Sequence, residues 1–249
     1  MNSILFLFLI FVFLLFLVVG KSGIQSLIGL FLNFLMICLF LFLVSRSFPV
    51  FLLLPLFVFI ILTISIFSSV MDEKIAALAF KSSSLVAVPL LLFSYIIQYW
   101  GQFQGFTNQN MEELEGLSLN IGLNFSELTV AVFVLSILGS LAESSIAVII
   151  NLKELIDQNP QMTSEEFRVQ KRIISEQIIG TAINILFFGL LGGSLAVFLW
   201  YIRLERTFAE MINSKLLMIE VAGILIGMIA ILLVVELSAY FMEKNFKIE

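Results

Sequence analysis

The sequence predicts an all-α protein, a polytopic transmembrane helical bundle of about seven spans. Composition is the first observation: 61% of the 249 residues are hydrophobic and 12% are charged, whereas soluble domains contain about 25% charged residues. The second is a mean hydropathy of +1.13. The third is the grouping of apolar residues into runs of about 20, the length that crosses the hydrocarbon core of a bilayer as a helix.

Charged or polar residues separate the predicted spans, which are 4–20, 23–44, 48–70, 82–100, 125–150, 178–201 and 216–241. The first four form an N-terminal part within residues 1–100, and the last three form a core within residues 125–241. No soluble segment interrupts the series, so we interpret residues 1–249 as a single transmembrane domain.

The connector after span five, residues 151–177, is expected to be an amphipathic linker at the cytoplasmic surface. Pro160 ends the extension of span five, and Thr163 with Glu166 matches a helix capping box. The pattern predicts a short helix that leads into span six. A solvated surface helix and a docking site for another protein both fit it.

Basic residues are distributed unequally between the two sides of the predicted bundle. The side of the C-terminus carries nine: Lys21, Lys74, Lys81, Lys153, Arg168, Lys171, Arg172, Lys244 and Lys247. The other side carries four: Arg46, Arg203, Arg206 and Lys215. Because Lys and Arg concentrate on the cytoplasmic side of membrane proteins, we expect the N-terminus outside and the C-terminus in the cytoplasm.

Span five contains a carboxylate, Glu143, within the stretch LGSLAESSIAVII. At about 100° per residue, one face of this helix carries Ser136, Gly139, Ser140, Glu143 and Ala147, and Ser144 flanks it. Small residues let neighbouring helices approach closely, so we expect this face to point into the bundle. An ionisable side chain at the centre of a span costs roughly 2.5–3.5 kcal/mol on insertion, which makes Glu143 the candidate functional residue.

Small and polar residues of spans five to seven are the expected surroundings of this carboxylate. The supporting polar residues are Ser140, Ser144, Thr181 and Asn184. The packing or hinge glycines are Gly139, Gly180, Gly189, Gly192, Gly193, Gly223 and Gly227. A second carboxylate, Glu236, lies about 180° around its helix from Gly227 and is set aside.

Three roles for Glu143 are compatible with the sequence. The first is a titrating carboxylate that couples proton or cation movement to a conformational change. The second is a structural glutamate that is protonated or hydrogen-bonded by its neighbours. The third is a contact to a helix of a partner protein. No lysine or arginine lies well inside a span, so the chain offers no cationic partner within the membrane.

Several functions are excluded or unsupported by the residues present. Histidine is absent, which removes imidazole metal sites and histidine bases. The single cysteine, Cys38, cannot form an internal disulfide and is expected to be a buried small residue. Motifs of hydrolases and metalloproteases are also missing. We therefore expect no catalytic residue, metal or cofactor, and no nucleic-acid partner.

Motifs on both sides of the connector resemble the YibE/F family of bacterial membrane proteins. They are ILGSLAESSIAVIINLKEL, the pair Asn159-Pro160, and EQIIGTAINILFFGLLGGSLA. The residues that match the family pattern as they stand are Gly180, Thr181, Asn184, Gly192, Gly193 and Ser194. Glu143 stands where the family has an aspartate. The resemblance runs from roughly the fourth span to the C-terminus. The chain resembles the shorter, YibF-like type of family member.

The resemblance implies a protein of the bacterial cytoplasmic membrane, in a family described as permeases without an established substrate. It also implies a longer, YibE-like partner. A looser similarity to the helical core of SecF and RND transporters implies proton relay through intramembrane carboxylates. The expected function is a transporter subunit coupled to protons through Glu143. The alternative is a non-transporting scaffold that stabilises a YibE-like partner; expected contacts are the lipid bilayer and that partner or further copies of the chain.

Overall fold

A computed structural model of the chain describes residues 2–102 and 124–245, and within those ranges it consists of α-helices without strands. The helices are α1 (Asn2–Val19), α2 (Lys21–Ser45), α3 (Val50–Ser69), α4 (Glu73–Gly101), α5 (Phe125–Gln158), α6 (Ser164–Gly193), α7 (Leu195–Arg203), α8 (Phe208–Ile212) and α9 (Lys215–Asn245). By length and composition, six described helices could cross a membrane, and Ser3–Val19 is a shorter apolar helix. The predicted membrane helical bundle of about seven spans is confirmed.

Helix α5 lies at the centre of the bundle and contacts α3, α4, α6 and α9. Its packed side is formed by large apolar side chains, of which Val134, Ile137 and Leu141 are fully buried. Helix α9 also contacts α4 and α6, while α2 and α1 extend the bundle beyond α3. In lipid, such helices are held together mainly by close van der Waals packing.

The first two helices form a tight hairpin. Gly20 connects them with a φ of 66°, a left-handed conformation that glycine adopts without steric cost. A Cβ on Gly23 would lie 2.9 Å from the carbonyl oxygen of Leu15, so the backbones approach closely just beyond the turn. A side chain at Gly23 would push the two helices apart.

Polar side chains cap α4, α5, α6 and α8 at their N-termini. Asp72 accepts hydrogen bonds from the backbone N–H groups of Lys74 and Ile75, which explains why α4 begins at Glu73 rather than near residue 82 as predicted. At α6, Thr163 and Glu166 form the predicted capping box. Each cap supplies an acceptor to N–H groups that have no partner within the helix.

Among the described residues, the ion pairs that join different helices lie at one end of the bundle. Lys153 of α5 pairs with Asp72 before α4, and Lys171 of α6 pairs with Glu243 of α9 at 2.6 Å. The Lys81 ammonium lies 4.6 Å from the centre of the Phe241 ring at the same end. We call this the ion-paired end; it corresponds to the side predicted to be rich in basic residues, of which Lys247 lies outside the described residues.

The sixth predicted span differs from expectation in two ways. No separate helix precedes it, because α6 runs without a break from Ser164 to Gly193; its sequence contains no proline and no glycine before residue 180 to interrupt it. The second difference is a break in the helix within the predicted span 178–201. The helix ends at Gly193, and α7 starts anew at Leu195, since two glycines followed by Ser194 weaken the helix at this point.

Candidate functional site

The side of α5 that carries Glu143 faces outward in the described chain. Glu143 and Gly139 are exposed, and Ser140 is half-buried. The expectation that this face points into the bundle is therefore wrong for the chain by itself. Larger residues such as Phe133 and Leu141 occupy the buried side, because they fill more of the space between α5 and its neighbours than the small residues could.

Ser144 is the predicted polar neighbour that lies inside the bundle. Its side chain is 2% exposed, and its hydroxyl has no hydrogen-bond partner within the part of the chain that the structure describes. It points away from Glu143, since the two are adjacent on the helix and therefore about 100° apart. The structure thus separates Ser144 from the carboxylate it was expected to support.

Helix α6 presents a second group of predicted residues at the level of Glu143. Leu186 of α6 and Ile137 of α5 both lie against Gly227 of α9, which aligns the two helices. Because α5 and α6 run in opposite directions, this contact places Gly180 and Thr181 near the depth of Glu143.

These α6 residues are exposed and do not bond to Glu143. Gly180, Thr181 and Asn184 are all exposed. The Thr181 hydroxyl donates within its own helix, to the carbonyl oxygens of Gln177 and Ile178, both at 3.1 Å. The structure therefore places the predicted polar residues at one depth without joining them into a network.

Open space surrounds the glycines of this region. A Cβ on Gly139 or Gly180 would meet nothing within 4 Å. We define the open polar face as the exposed or half-buried residues Gly139, Ser140, Glu143, Gly180, Thr181 and Asn184. In a bilayer this face meets lipid or another membrane protein, since no described helix of the chain covers it.

The electrostatic setting of Glu143 is that of a carboxylate without a salt-bridge partner among the described residues. The ion pair of Lys153 with Asp72 marks the ion-paired end, and Lys153 lies about 15 Å along the helix from Glu143 at about 1.5 Å per residue. Among the described residues, no salt bridge involves Glu143. The carboxylate is therefore exposed and has no fixed counter-charge within the part of the chain that the structure describes.

The remaining predicted glycines fall into two groups. Gly189, Gly192 and Gly193 border open space close to the end of α6. Gly223 and Gly227 lie in helix contacts: a Cβ on Gly227 would lie 2.5 Å from Leu186 Cδ2 and 3.2 Å from Ile137 Cγ1. Glycine at 227 thus permits the closest approach of α9 to α5 and α6.

A cluster of buried serines joins α4, α5 and α9 and was missed by sequence reasoning. The Ser83 hydroxyl donates to the Ser145 hydroxyl at 2.8 Å. The Ser238 hydroxyl donates to the Ser82 hydroxyl, also at 2.8 Å. The run Lys81-Ser82-Ser83-Ser84 within an apolar helix was the available signal. Its partners could not be identified, because they are distant in the sequence.

The structure also locates the acidic side chains and the single cysteine relative to one another. Within residues 2–102 and 124–245, no group of three or more His, Cys, Asp or Glu side chains is arranged to hold a metal ion. Cys38 is exposed on α2, so the expectation that it is buried is wrong. Helix α2 lies at the edge of the bundle against α1 and α3, and the side of the helix that carries Cys38 is uncovered.

Together these features define a polytopic helical membrane protein whose central helix carries a carboxylate on an uncovered, glycine-containing face. The chain belongs to the YibE/F-like protein family, whose sequence profile matches residues 7–248. The match confirms the resemblance and extends it from the fourth span to almost the whole chain. No curated protein and no solved structure matches this chain.

Proposed function

We propose that this chain is a transporter subunit of the YibE/F type, in which Glu143 carries a proton or small cation. A second membrane chain covers the open polar face in the working complex. The observation that carries the proposal is the position of Glu143: an exposed carboxylate in the apolar part of a central helix, without a cationic partner among the described residues.

An exposed carboxylate at this depth is unfavourable if lipid is its only neighbour. Insertion scales place the cost at roughly 2.5–3.5 kcal/mol. Ionisable residues in membrane spans usually face a protein interior or a water-filled cavity and mark the path of protons or ions. A covering chain that also reaches α6 would provide such a cavity, with Thr181 and Asn184, which are exposed at a similar depth, as hydrogen-bonding groups.

The glycines of the open polar face support a close helix contact with the covering chain. Gly139 and Gly180 are exposed with open space in front of them, and small residues are typical of helix interfaces in membranes. The family suggests a YibE-like relative as the covering chain, and a second copy of this chain has the same requirement for cover. The proposal needs one of these to place protein opposite Glu143.

The proposal includes an orientation in the bacterial cytoplasmic membrane. We place the ion-paired end in the cytoplasm and the N-terminus outside, because basic residues favour the cytoplasmic side. A reporter protein fused to the C-terminus tests this placement. It should fold and fluoresce as a cytoplasmic protein, and activity of an exported reporter at that position would reverse the orientation.

Proton flux in reconstituted vesicles tests the role of Glu143. Vesicles contain the full chain alone or with a YibE-like relative, together with a trapped pH-sensitive dye, and receive an imposed pH gradient. We expect flux that Glu143→Gln reduces to the level of protein-free vesicles, because glutamine cannot titrate. Glu143→Asp should keep it. Flux that persists unchanged in Glu143→Gln overturns the proposal.

A matched control comes from a second exposed carboxylate. Glu236 of α9 is exposed and lies outside the open polar face. The Glu236→Gln variant loses the same charge and should keep the flux of the unmodified chain. Loss of flux in this variant as well would show that overall charge, rather than the position of Glu143, controls the activity.

The scaffold alternative is favoured by the same uncovered glycines. If the face only holds a partner, Gly139→Leu and Gly180→Leu should abolish co-purification with the YibE-like relative, while Glu143→Gln vesicles behave like those of the unmodified chain. If Glu143 is a relay, Glu143→Gln should leave the complex intact and remove the flux. The scaffold function thus predicts that only the glycine variants have an effect, which is loss of the complex. The relay function predicts that Glu143→Gln loses flux and keeps the complex.

A further inference from the structure

A cleft between α5, α6 and α9 lies away from Glu143, toward the end of the bundle opposite the ion-paired end. Its volume is about 300 Å³, and its lining includes Ser136, Gly189, Gly193, Ser194, Glu220 and Gly223. This volume is at the lower limit of cavities that bind small molecules. The cleft therefore has room for a compact ligand or for the head group of a lipid.

The polar groups of this cleft are hydrogen-bond acceptors. The Ser136 hydroxyl donates to the carbonyl oxygen of Phe133 at 3.1 Å, and the Ser194 hydroxyl donates to that of Leu190 at 3.2 Å. Each hydroxyl has one proton and two lone pairs, so only lone pairs are left for a ligand. A carboxylate such as that of Glu220, when ionised, likewise accepts and cannot donate.

The charge and shape of the cleft restrict the range of possible ligands further. Glu220 is half-buried, and no salt bridge involves it among the residues that the structure describes. A Cβ on Gly189 or Gly193 would meet nothing within 4 Å, so the wall that α6 contributes to the cleft is open at these two positions. Phe133 contributes an aromatic residue to the lining.

We propose that this cleft binds a primary ammonium group through Glu220, with the Ser136 and Ser194 oxygens as further acceptors. A primary ammonium carries three N–H donors and a positive charge, which complements a carboxylate and two hydroxyl acceptors. The group belongs either to a small free amine or to a lipid head group. Glu220 lies about 7.5 Å along α9 from Lys215, near the membrane surface, where both are available. The site is independent of the role proposed for Glu143.

Two pairs of probes that differ in N–H donors test the site. The full chain in detergent receives ethanolamine or choline at equal concentration and ionic strength, and its thermal stability is measured. The full chain from bilayers of phosphatidylethanolamine and phosphatidylcholine is examined by native mass spectrometry for retained lipid. We expect stabilisation by ethanolamine over choline if the source is a free amine, and retention of phosphatidylethanolamine over phosphatidylcholine if it is a lipid.

Variants connect the preference to the cleft. Glu220→Gln should weaken binding of the preferred probe by about tenfold to a hundredfold, as expected for loss of a hydrogen bond to a charged group. Glu236→Gln, on the same helix but outside the cleft, should bind like the unmodified chain. If Glu220→Gln fails to fold, Gly193→Leu fills the cleft from α6 and should give the same loss.

Two results would overturn the proposal. One is an equal response to the amine and its trimethylated counterpart in both assays, which would show that the cleft does not recognise N–H donors. The other is a preference for the primary amine that persists unchanged in the cleft variants, which would place the binding site elsewhere on the chain.

Discussion

Gly227 lies in a helix contact and Gly139 lies on an uncovered face, so substitution by leucine should change the stability of the chain in opposite directions at the two positions. At Gly227, leucine must displace Leu186 and Ile137, whose side-chain atoms would lie 2.5 Å and 3.2 Å from its Cβ. Overpacking of this kind costs about 1–3 kcal/mol. Replacing a helical glycine offsets about 0.8 kcal/mol of that cost, so Gly227→Leu should destabilise the chain by about 1 kcal/mol.

At Gly139 leucine should bring the gain from replacing a helical glycine without the cost of overpacking. A Cβ there meets nothing within 4 Å, so Gly139→Leu should leave the isolated chain as stable as before or stabilise it by about 0.8 kcal/mol. Unfolding of the purified chain by denaturant in detergent, monitored by circular dichroism, measures both variants. Equal destabilisation by the two substitutions would contradict the placement of Gly139 on an uncovered face.

Two further predictions concern the contacts that hold the bundle together. Ser145→Ala should cost about 0.6 kcal/mol, the average measured for hydrogen bonds between membrane helices, and at most about 1.7 kcal/mol, because Ser83 loses its acceptor. In a denaturant cycle the double variant with Ser83→Ala should cost less than the sum of the single changes, and additivity would refute the hydrogen bond. Lys153 and backbone N–H groups hold the pKa of Asp72 below its ordinary value of 3.8. The stability this adds is complete above that value and is lost as the pH falls through the lowered pKa. Thermal unfolding at a series of pH values should show this loss in the unmodified chain and not in Asp72→Asn.

Local features were predictable because they depend on residues close together in the sequence. The capping box of Thr163 and Glu166 follows from a spacing of three residues, and the end of α5 follows from Pro160 nearby. The weak point at Gly192 and Gly193 was also visible, as the break between α6 and α7 shows. These patterns require no knowledge of which helices are neighbours.

The direction of the Glu143 face could not be derived in this way. In a soluble protein the polar side of a helix faces water, but in a membrane both lipid and protein interior are apolar. Gly139 and Ser140 therefore indicate a close contact without indicating whose helix makes it. The serine pair Ser82 and Ser238 was inaccessible for a related reason, since its members are 156 positions apart.

The protonation of Glu143 itself is the most direct test of the account. Infrared difference spectroscopy of the reconstituted complex, recorded as the pH is changed, follows the carboxyl C=O band. We predict a pH-dependent band that disappears in Glu143→Gln, shifts in Glu143→Asp and is retained in Glu236→Gln. Spectra that are identical for the unmodified chain and Glu143→Gln would contradict the claim that this carboxylate carries a proton.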